Sequence, residues 1–306
     1  MRSSALMILA IVLATPAGGQ DIDKRKDWPI VARSAHYEIR STADAAQTKK
    51  LLDHMELVFG TYTKLFNMAQ VPNQKLIIIL FKSQDEYESH PESPAGTAAY
   101  YNRKQLVGYY DERRMFNYFA HEGMHQFTDI ALKDIDKAPM WFIEGMAECI
   151  GSSEVRKGRL FMCAKNGVIA QENLPIIQAM IRAKAHVKLS SLLTMSYERF
   201  MGRNGMYAQS WSFCHFLLSY PEMEETKNQI PNGKYWTVLS NFIRLIARKD
   251  VKLDDALKAS FQLNGKPIDM DAMEKEWTEY VLKMENDGTK KLEEEEKAER
   301  EGKEEK

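Results

Sequence analysis

Residues 119–127 read FAHEGMHQF, with two of the seven histidines four positions apart and a glutamate directly after the first. On a helix, positions i and i+4 lie about 40 degrees apart around the axis, so His121 and His125 present both imidazoles to one point. Two nitrogens so placed give the bite of a tetrahedral zinc, which takes bonds of about 2.0–2.1 Å to histidine. Glu122 is turned about 100 degrees from His121. It stands beside such a metal, where a carboxylate can accept a proton from water that the metal has acidified. H-E-x-x-H is the sequence form of this arrangement. A random match still arises on the order of once in a hundred chains of this composition, and histidines also share helix faces for ordinary packing reasons. A catalytic zinc needs a third protein ligand and an open fourth position, so the flanking sequence has to supply more.

Upstream, HYEIRS (36–41) alternates as a strand does. Leu51, Leu52, Met55, Val58, Phe59, Tyr62, Leu65 and Phe66 then recur at steps of three and four, with Ser41, Thr42 and Asp44 available as caps. That spacing predicts a long amphipathic helix. KLIIILF (75–81) is short, unbroken and rich in β-branched residues, as in a strand covered on both faces. TAAYYN and QLVGYY predict two more strands joined by a tight turn at residues 102–104, and Asp111 is placed to cap the helix that carries the histidines. Beyond Met140 the periodicity is helical in MWFIEGMAECI, LPIIQAMIRAKA, MYAQSWSFCHFLL, WTVLSNFIRLIA and AMEKEWTEYVLKM. The expected class is α+β: a small mixed sheet with the histidine-bearing helix, followed by a mostly helical C-terminal half.

The termini read differently. After Arg2 the apolar run ALMILAIVLA leads to TPAGGQ, with small residues at Ala17 and Gly19. This is the pattern of a signal peptide over residues 1–19, and the run is too short to span a bilayer as a helix. The expected mature protein is exported, to the periplasm or beyond the cell, and has no membrane span. Residues 20–133 form the expected sheet and zinc-helix part and 134–286 the helical part, while 287–306 are so charged and poor in apolar residues that a disordered tail is expected. With 44% hydrophobic residues and a formal charge of -1, the chain can build a core and carries no bias toward nucleic acid.

The three cysteines, Cys149, Cys163 and Cys214, are too few for a disulfide framework and show no C-x-x-C spacing. In an exported protein one pair can oxidise, Cys149 and Cys163 being nearest in sequence. Cys214 and His215 are neighbours and on a helix do not face each other. His36, His54, His90, His186 and His215 lack ligand-spaced partners and read as structural. There is no phosphate-binding glycine loop and no G-x-S-x-G nucleophile elbow.

PMWFIEGMAEC (139–149) follows the histidine motif at a telling distance. H-E-x-x-H followed by W-x-x-E-G-x-A resembles the gluzincin clan of zinc peptidases, which includes thermolysin and aminopeptidase N. Eighteen residues, 126–143, separate His125 from Glu144, the spacing of the aminopeptidase N branch. The resemblance implies Glu144 as third zinc ligand, Glu122 as general base and a peptide or protein substrate. It also implies that Glu148, one turn beyond Glu144, accepts a hydrogen bond from a ligating imidazole, that of His121, and fixes its orientation. Tyr207, sixty-three residues after Glu144, matches a tyrosine that donates to the oxyanion in aminopeptidase-like members. Gly145 and Ala147 are small enough to let their helix approach the histidine helix.

The chain departs from aminopeptidases where their G-x-M-E-N segment would stand: AGTAAYYN holds no acid to bind a substrate's α-amine. QLVGYYD is instead expected to be an exposed edge strand onto which an extended peptide adds, which points to an endopeptidase. Gly123 costs a helix about 1 kcal/mol relative to alanine, so a close neighbour is expected opposite the zinc face. The whole pattern most resembles exported bacterial proteins with a gluzincin core and a helical C-terminal half. Two other readings stay open: a catalytically weak metal- and peptide-binding module on the same scaffold, and a zinc hydrolase of a non-peptide bond.

Overall fold

The computed structural model describes residues 28–67, 74–222 and 229–290. The expected signal peptide and most of the expected tail lie outside these residues. The chain opens with β1 (Ile30–Arg33), β2 (Tyr37–Ser41) and α1 (Ala45–Leu65). Asp44 starts α1 with a capping box, its carboxylate accepting from Gln47 N while the Gln47 side chain accepts from Asp44 N. Then come β3 (Leu76–Phe81), α2 (Gln84–Glu88), β4 (Ala99–Tyr101), β5 (Gln105–Tyr109) and α3 (Met115–Leu132). The sheet order is β1-β2-β3-β5-β4, with β2, β3 and β5 parallel and the outer β1 and β4 antiparallel to their neighbours.

The buried run of β3 explains why the sheet is central here. Ile78 and Leu80 join the core beneath α1 and α3, whereas Ile79 and Phe81 join a second cluster with Tyr87, Tyr100 and Tyr109 on the other face. Side chains of a strand alternate between faces, so an unbroken apolar run requires cover on both. The sequence expectation for QLVGYYD needs correcting: β5 is an interior strand, buried throughout, and the edge is β4. Both strands are apolar, and what separates them is the order of pairing, which hydrophobicity does not encode.

The second half continues with a 3-10 turn (Ile135–Lys137), α4 (Met140–Gly151), the hairpin β6 (Glu154–Arg156) and β7 (Arg159–Phe161), and α5 (Val168–Arg182). After it stand α6 (Leu189–Leu192), α7 (Tyr197–Met201), α8 (Met206–Ser219), α9 (Trp236–Ile246), α10 (Leu253–Ser260), β8 (Gln262–Leu263), β9 (Lys266–Pro267) and α11 (Met270–Lys283). The fold is α+β, with a helical C-terminal half. Residues 287–290, expected to open the disordered tail, are helical. Asn286 and Thr289 anchor that turn, Asn286 Nδ2 donating to the carbonyls of Lys165 and Ala170. Among the described residues no helix is long and apolar enough to cross a membrane.

Glycines mark where helices touch. A Cβ on Gly123 would lie 2.8 Å from Tyr62 Oη and 2.9 Å from Met55 Cε, so α1 is the close neighbour expected there. A Cβ on Gly145 would lie 2.5 Å from the Ser210 carbonyl oxygen and 2.6 Å from Cys214 Sγ. Gly145 therefore admits α8, not the histidine helix α3 as expected. The close approach to α3 falls instead at Gly151, whose Cβ would stand 3.2 Å from Asn117 O and 3.4 Å from His121 Cβ.

Glycine to alanine normally gains about 1 kcal/mol in a helix, and here the sign should depend on position. Gly60→Ala in α1, where a Cβ meets nothing within 4 Å, should stabilise by about 0.5–1 kcal/mol. Gly145→Ala should destabilise by about 1–3 kcal/mol through overpacking against backbone. Urea denaturation of the two variants, compared with the wild type, checks both signs.

Candidate metal centre

Two consecutive helices build the site. α3 ends at Lys133, which adopts a left-handed conformation with φ 60°. Asp134 then caps the 3-10 turn through Asp136 N, and Pro139 stands just before α4. This short reversal folds α4 back along α3. At the far end Asn117 Nδ2 donates to the Gly151 carbonyl at 2.6 Å, which fixes how far along α3 the second helix lies.

The arrangement brings five of the six singled-out side chains together. His121 Nε2 and His125 Nε2 are 3.1 Å apart. Glu144 Oε2 lies 3.6 Å from the first and 3.7 Å from the second. His121, Glu122 and His125 each place a possible ligand atom within 4.8 Å of the others. Glu148 Oε1 stands 3.2 Å from His121 Nδ1, on the side of the ring away from Glu144; the contact is close but off the line of a hydrogen bond.

Burial makes this an electrostatically costly group. His121 and Glu144 are 0% exposed, Glu122 and His125 2%, and Glu148 5%. Both oxygens of Glu144 lack a hydrogen-bond partner among the described residues. Ionised carboxylates out of water are unfavourable unless paired or on a metal. Burial, with Glu148 and Glu122 adding repulsion, holds the Glu144 carboxyl well above the usual range. Burial, then the His121 charge, drives the His125 imidazole well below its usual value. Burial pushes Glu122 up to about 7, against the opposing pulls of His121 and the Tyr101 backbone. Imidazole nitrogens beside a buried carboxylate that has no hydrogen-bond partner are the donor set a cation takes, and the buried His-Glu-x-x-His cluster can hold a metal ion.

Three contributors carry no local sequence signal. The backbone of Tyr101, on the edge strand β4, hydrogen-bonds the Glu122 carboxylate. Asn102 N donates to Gln105 O, and in an antiparallel pair such bonding alternates. The peptide groups of Ala99 and Tyr101 therefore point away from β5. Asn173 of α5, 7% exposed, donates from Nδ2 to Glu148 Oε2. Tyr197, at the first position of α7, is 37% exposed, and its phenol is raised by burial and then by the charge of Glu144. The sixth expected residue, Tyr207, sits in the first turn of α8, half-buried, with its hydroxyl 3.9 Å from Met201 Sδ and its ring against Phe200.

The remaining histidines have structural partners. His36 pairs with Glu56 at 2.7 Å and stacks on Phe59, His186 lies 3.5 Å from Glu274, and His215 Nδ1 is 2.9 Å from the Tyr280 hydroxyl. Cys214 Sγ points to the Trp141 carbonyl and not to His215.

A family described as "Protein of unknown function (DUF1570)" matches residues 117–230. The matched part runs from the first turn of α3 past the end of α8, so it contains His121, Glu122, His125, Glu144, Glu148, Asn173, Tyr197 and Tyr207 and omits Tyr101 with the rest of the five-stranded sheet. A comparison with curated proteins finds no match.

Partners beyond the ligand atoms commonly govern metal affinity. Asn173→Ala, which strips Glu148 of its amide donor, should weaken divalent-ion binding about 10- to 100-fold. Competition against a chromophoric chelator measures this, and an unchanged affinity would show that Glu148 needs no support.

Proposed function

We propose that this protein is a zinc-dependent peptidase, with His121, His125 and Glu144 holding the metal and Glu122 acting as general base. The observation that carries the reading is the spacing of three donor atoms, 3.1, 3.6 and 3.7 Å. Ligands at about 2.0–2.1 Å in a tetrahedron stand about 3.3 Å from one another, so the triangle already has the size zinc requires. The resemblance to gluzincins, with Glu144 at the right remove from His125, agrees with that spacing.

Zinc, when bound, supplies positive charge that polarises a carbonyl and makes nearby water more acidic. The chain's own groups do the rest. Glu122 takes the proton from the attacking water and passes it to the leaving nitrogen, a task for which its place beside the two imidazoles suits it. Glu148, held by Asn173, stands 3.2 Å from His121 Nδ1, where a small turn of the ring would let it accept from that nitrogen and keep Nε2 toward the metal. Tyr207 is proposed to donate to the oxyanion, with Tyr197, which lies within the field of Glu144, as the competing donor. The edge β4 offers outward peptide groups beside Glu122, where an extended peptide can pair. The absence of an acid in AGTAAYYN favours internal cleavage over removal of N-terminal residues.

Purified protein should contain zinc and cleave a mixed library of quenched peptides. Glu122→Gln should keep the metal and lose cleavage by about 10²–10⁴-fold. Wild type that holds zinc and cleaves no peptide would replace this reading with that of a metal- and peptide-binding module.

Tyr207→Phe should lower kcat by about 10²–10³-fold with zinc content unchanged, and Tyr197→Phe should leave kcat within a few-fold of wild type. The reverse pattern would transfer the role to Tyr197.

A further inference from the structure

Cys149 lies in the last turns of α4, and Cys163 follows β7 after the chain has run out through the β6–β7 hairpin and back. The Cys163 N–H donates to the Cys149 carbonyl at 2.8 Å, and the two Sγ atoms are 2.6 Å apart. Unbonded carbon atoms rest at about 3.5–4.0 Å, and sulfur is larger, so two thiols do not rest at this separation. Both side chains are buried, at 0% and 4% exposure. Cys149 and Cys214 each also direct Sγ to a backbone carbonyl, of Trp211 at 3.8 Å and of Trp141 at 3.7 Å, and it is the Cys163 sulfur that Cys149 meets at 2.6 Å. Cys163 also holds a left-handed backbone conformation, φ 60°, uncommon for a residue with a side chain, and this turns it onto Cys149.

We propose that Cys149 and Cys163 form an intrachain disulfide that closes the β6–β7 hairpin onto the C-terminal part of α4, with Cys214 remaining a free thiol. The inference is independent of any metal at the histidine site. The oxidant is a small-molecule or protein disulfide that undergoes thiol exchange. One cysteine thiolate attacks a sulfur of the oxidant, forming a mixed disulfide and releasing one oxidant thiolate. The second cysteine thiolate then attacks the protein sulfur of the mixed disulfide, forming the Cys149–Cys163 bond and releasing the other oxidant thiolate. Two protein thiols are oxidised, one oxidant disulfide is reduced, and the two protons end on the released sulfurs. Burial raises both thiols above the usual range, which slows exchange in the folded chain. The exchange therefore belongs to folding, before the hairpin closes.

The ring so formed encloses residues 150–162, adjacent to Glu148. Constraining a loop of that length in the unfolded chain should raise Tm by roughly 5–10 °C. The test uses the full chain, refolded in a mixture of oxidised and reduced glutathione and freed of excess reagent. Titration of thiols under denaturing conditions should find one, rising to three after reduction with a phosphine. The intact mass should rise by two hydrogens on reduction, and digestion should yield one linked peptide pair containing Cys149 and Cys163. Three free thiols before reduction, or a bridge involving Cys214, would overturn the proposal. Cys163→Ser should match the Tm of reduced wild type, and Cys214→Ser should keep both the bridge and the higher Tm. If Cys163→Ser does not fold, the thiol count and mass of the wild type still decide.

Discussion

The packing of α4 between α3 and α8 is the constraint on which the rest of the site depends, because α4 carries two glutamates and exposes no face to water. All twelve of its residues, Met140–Gly151, are buried. Trp141 and Phe142 reach into an aromatic cluster with Phe213, Phe242 and Phe261. Gly145 lets the α8 backbone close in behind, and Gly151 lets α3 close in at the end. A helix held on all sides cannot rotate to carry Glu144 and Glu148 toward solvent. Their carboxylates are thus fixed against His121 and His125 by apolar packing, whose strength comes from buried area rather than from the polar contacts themselves.

That rigidity explains why the polar group is so exposed to its own electrostatics. Three carboxyls and two imidazoles sit almost wholly out of water; the Asn173 amide supports Glu148 and the Tyr101 backbone supports Glu122, while Glu144 has no such support among the described residues. A divalent cation changes the sign of the problem, since it turns mutual repulsion among Glu122, Glu144 and Glu148 into shared attraction. The backbone of Tyr101 contributes a fixed dipole to Glu122, so that carboxyl is held between helix and sheet.

Much of this was legible from residue spacing. The His121–Glu122–His125 pattern, the helical register that places Glu144 and Glu148 on one face, and the buried character of β3 all follow from local periodicity. What stayed hidden depends on elements that meet only in three dimensions. Asn173 gives no sign in sequence that it will reach Glu148, twenty-five positions away. The rank of β4 and β5 in the sheet depends on pairing, and their compositions are alike. Gly145 announced a close helix contact without saying which helix. The start of α5 was obscured by Pro175, which suggests a first turn but lies inside a helix that begins at Val168. The hairpin β6–β7 is short and half-exposed, leaving no alternation to read.

One apolar cluster contains Tyr62 and Phe127 from the first half of the chain along with Trp141, Phe213 and Trp277 from the second. The link at residues 133–139 is short and polar enough to resemble a seam, yet the core passes straight through it. Inheritance of the two halves is accordingly tied. Recombination at that seam would join surfaces that had never been shaped against each other, so a lineage can revise its loops and outer strands piecemeal while α1, α3, α4 and α8 must change in step or not at all.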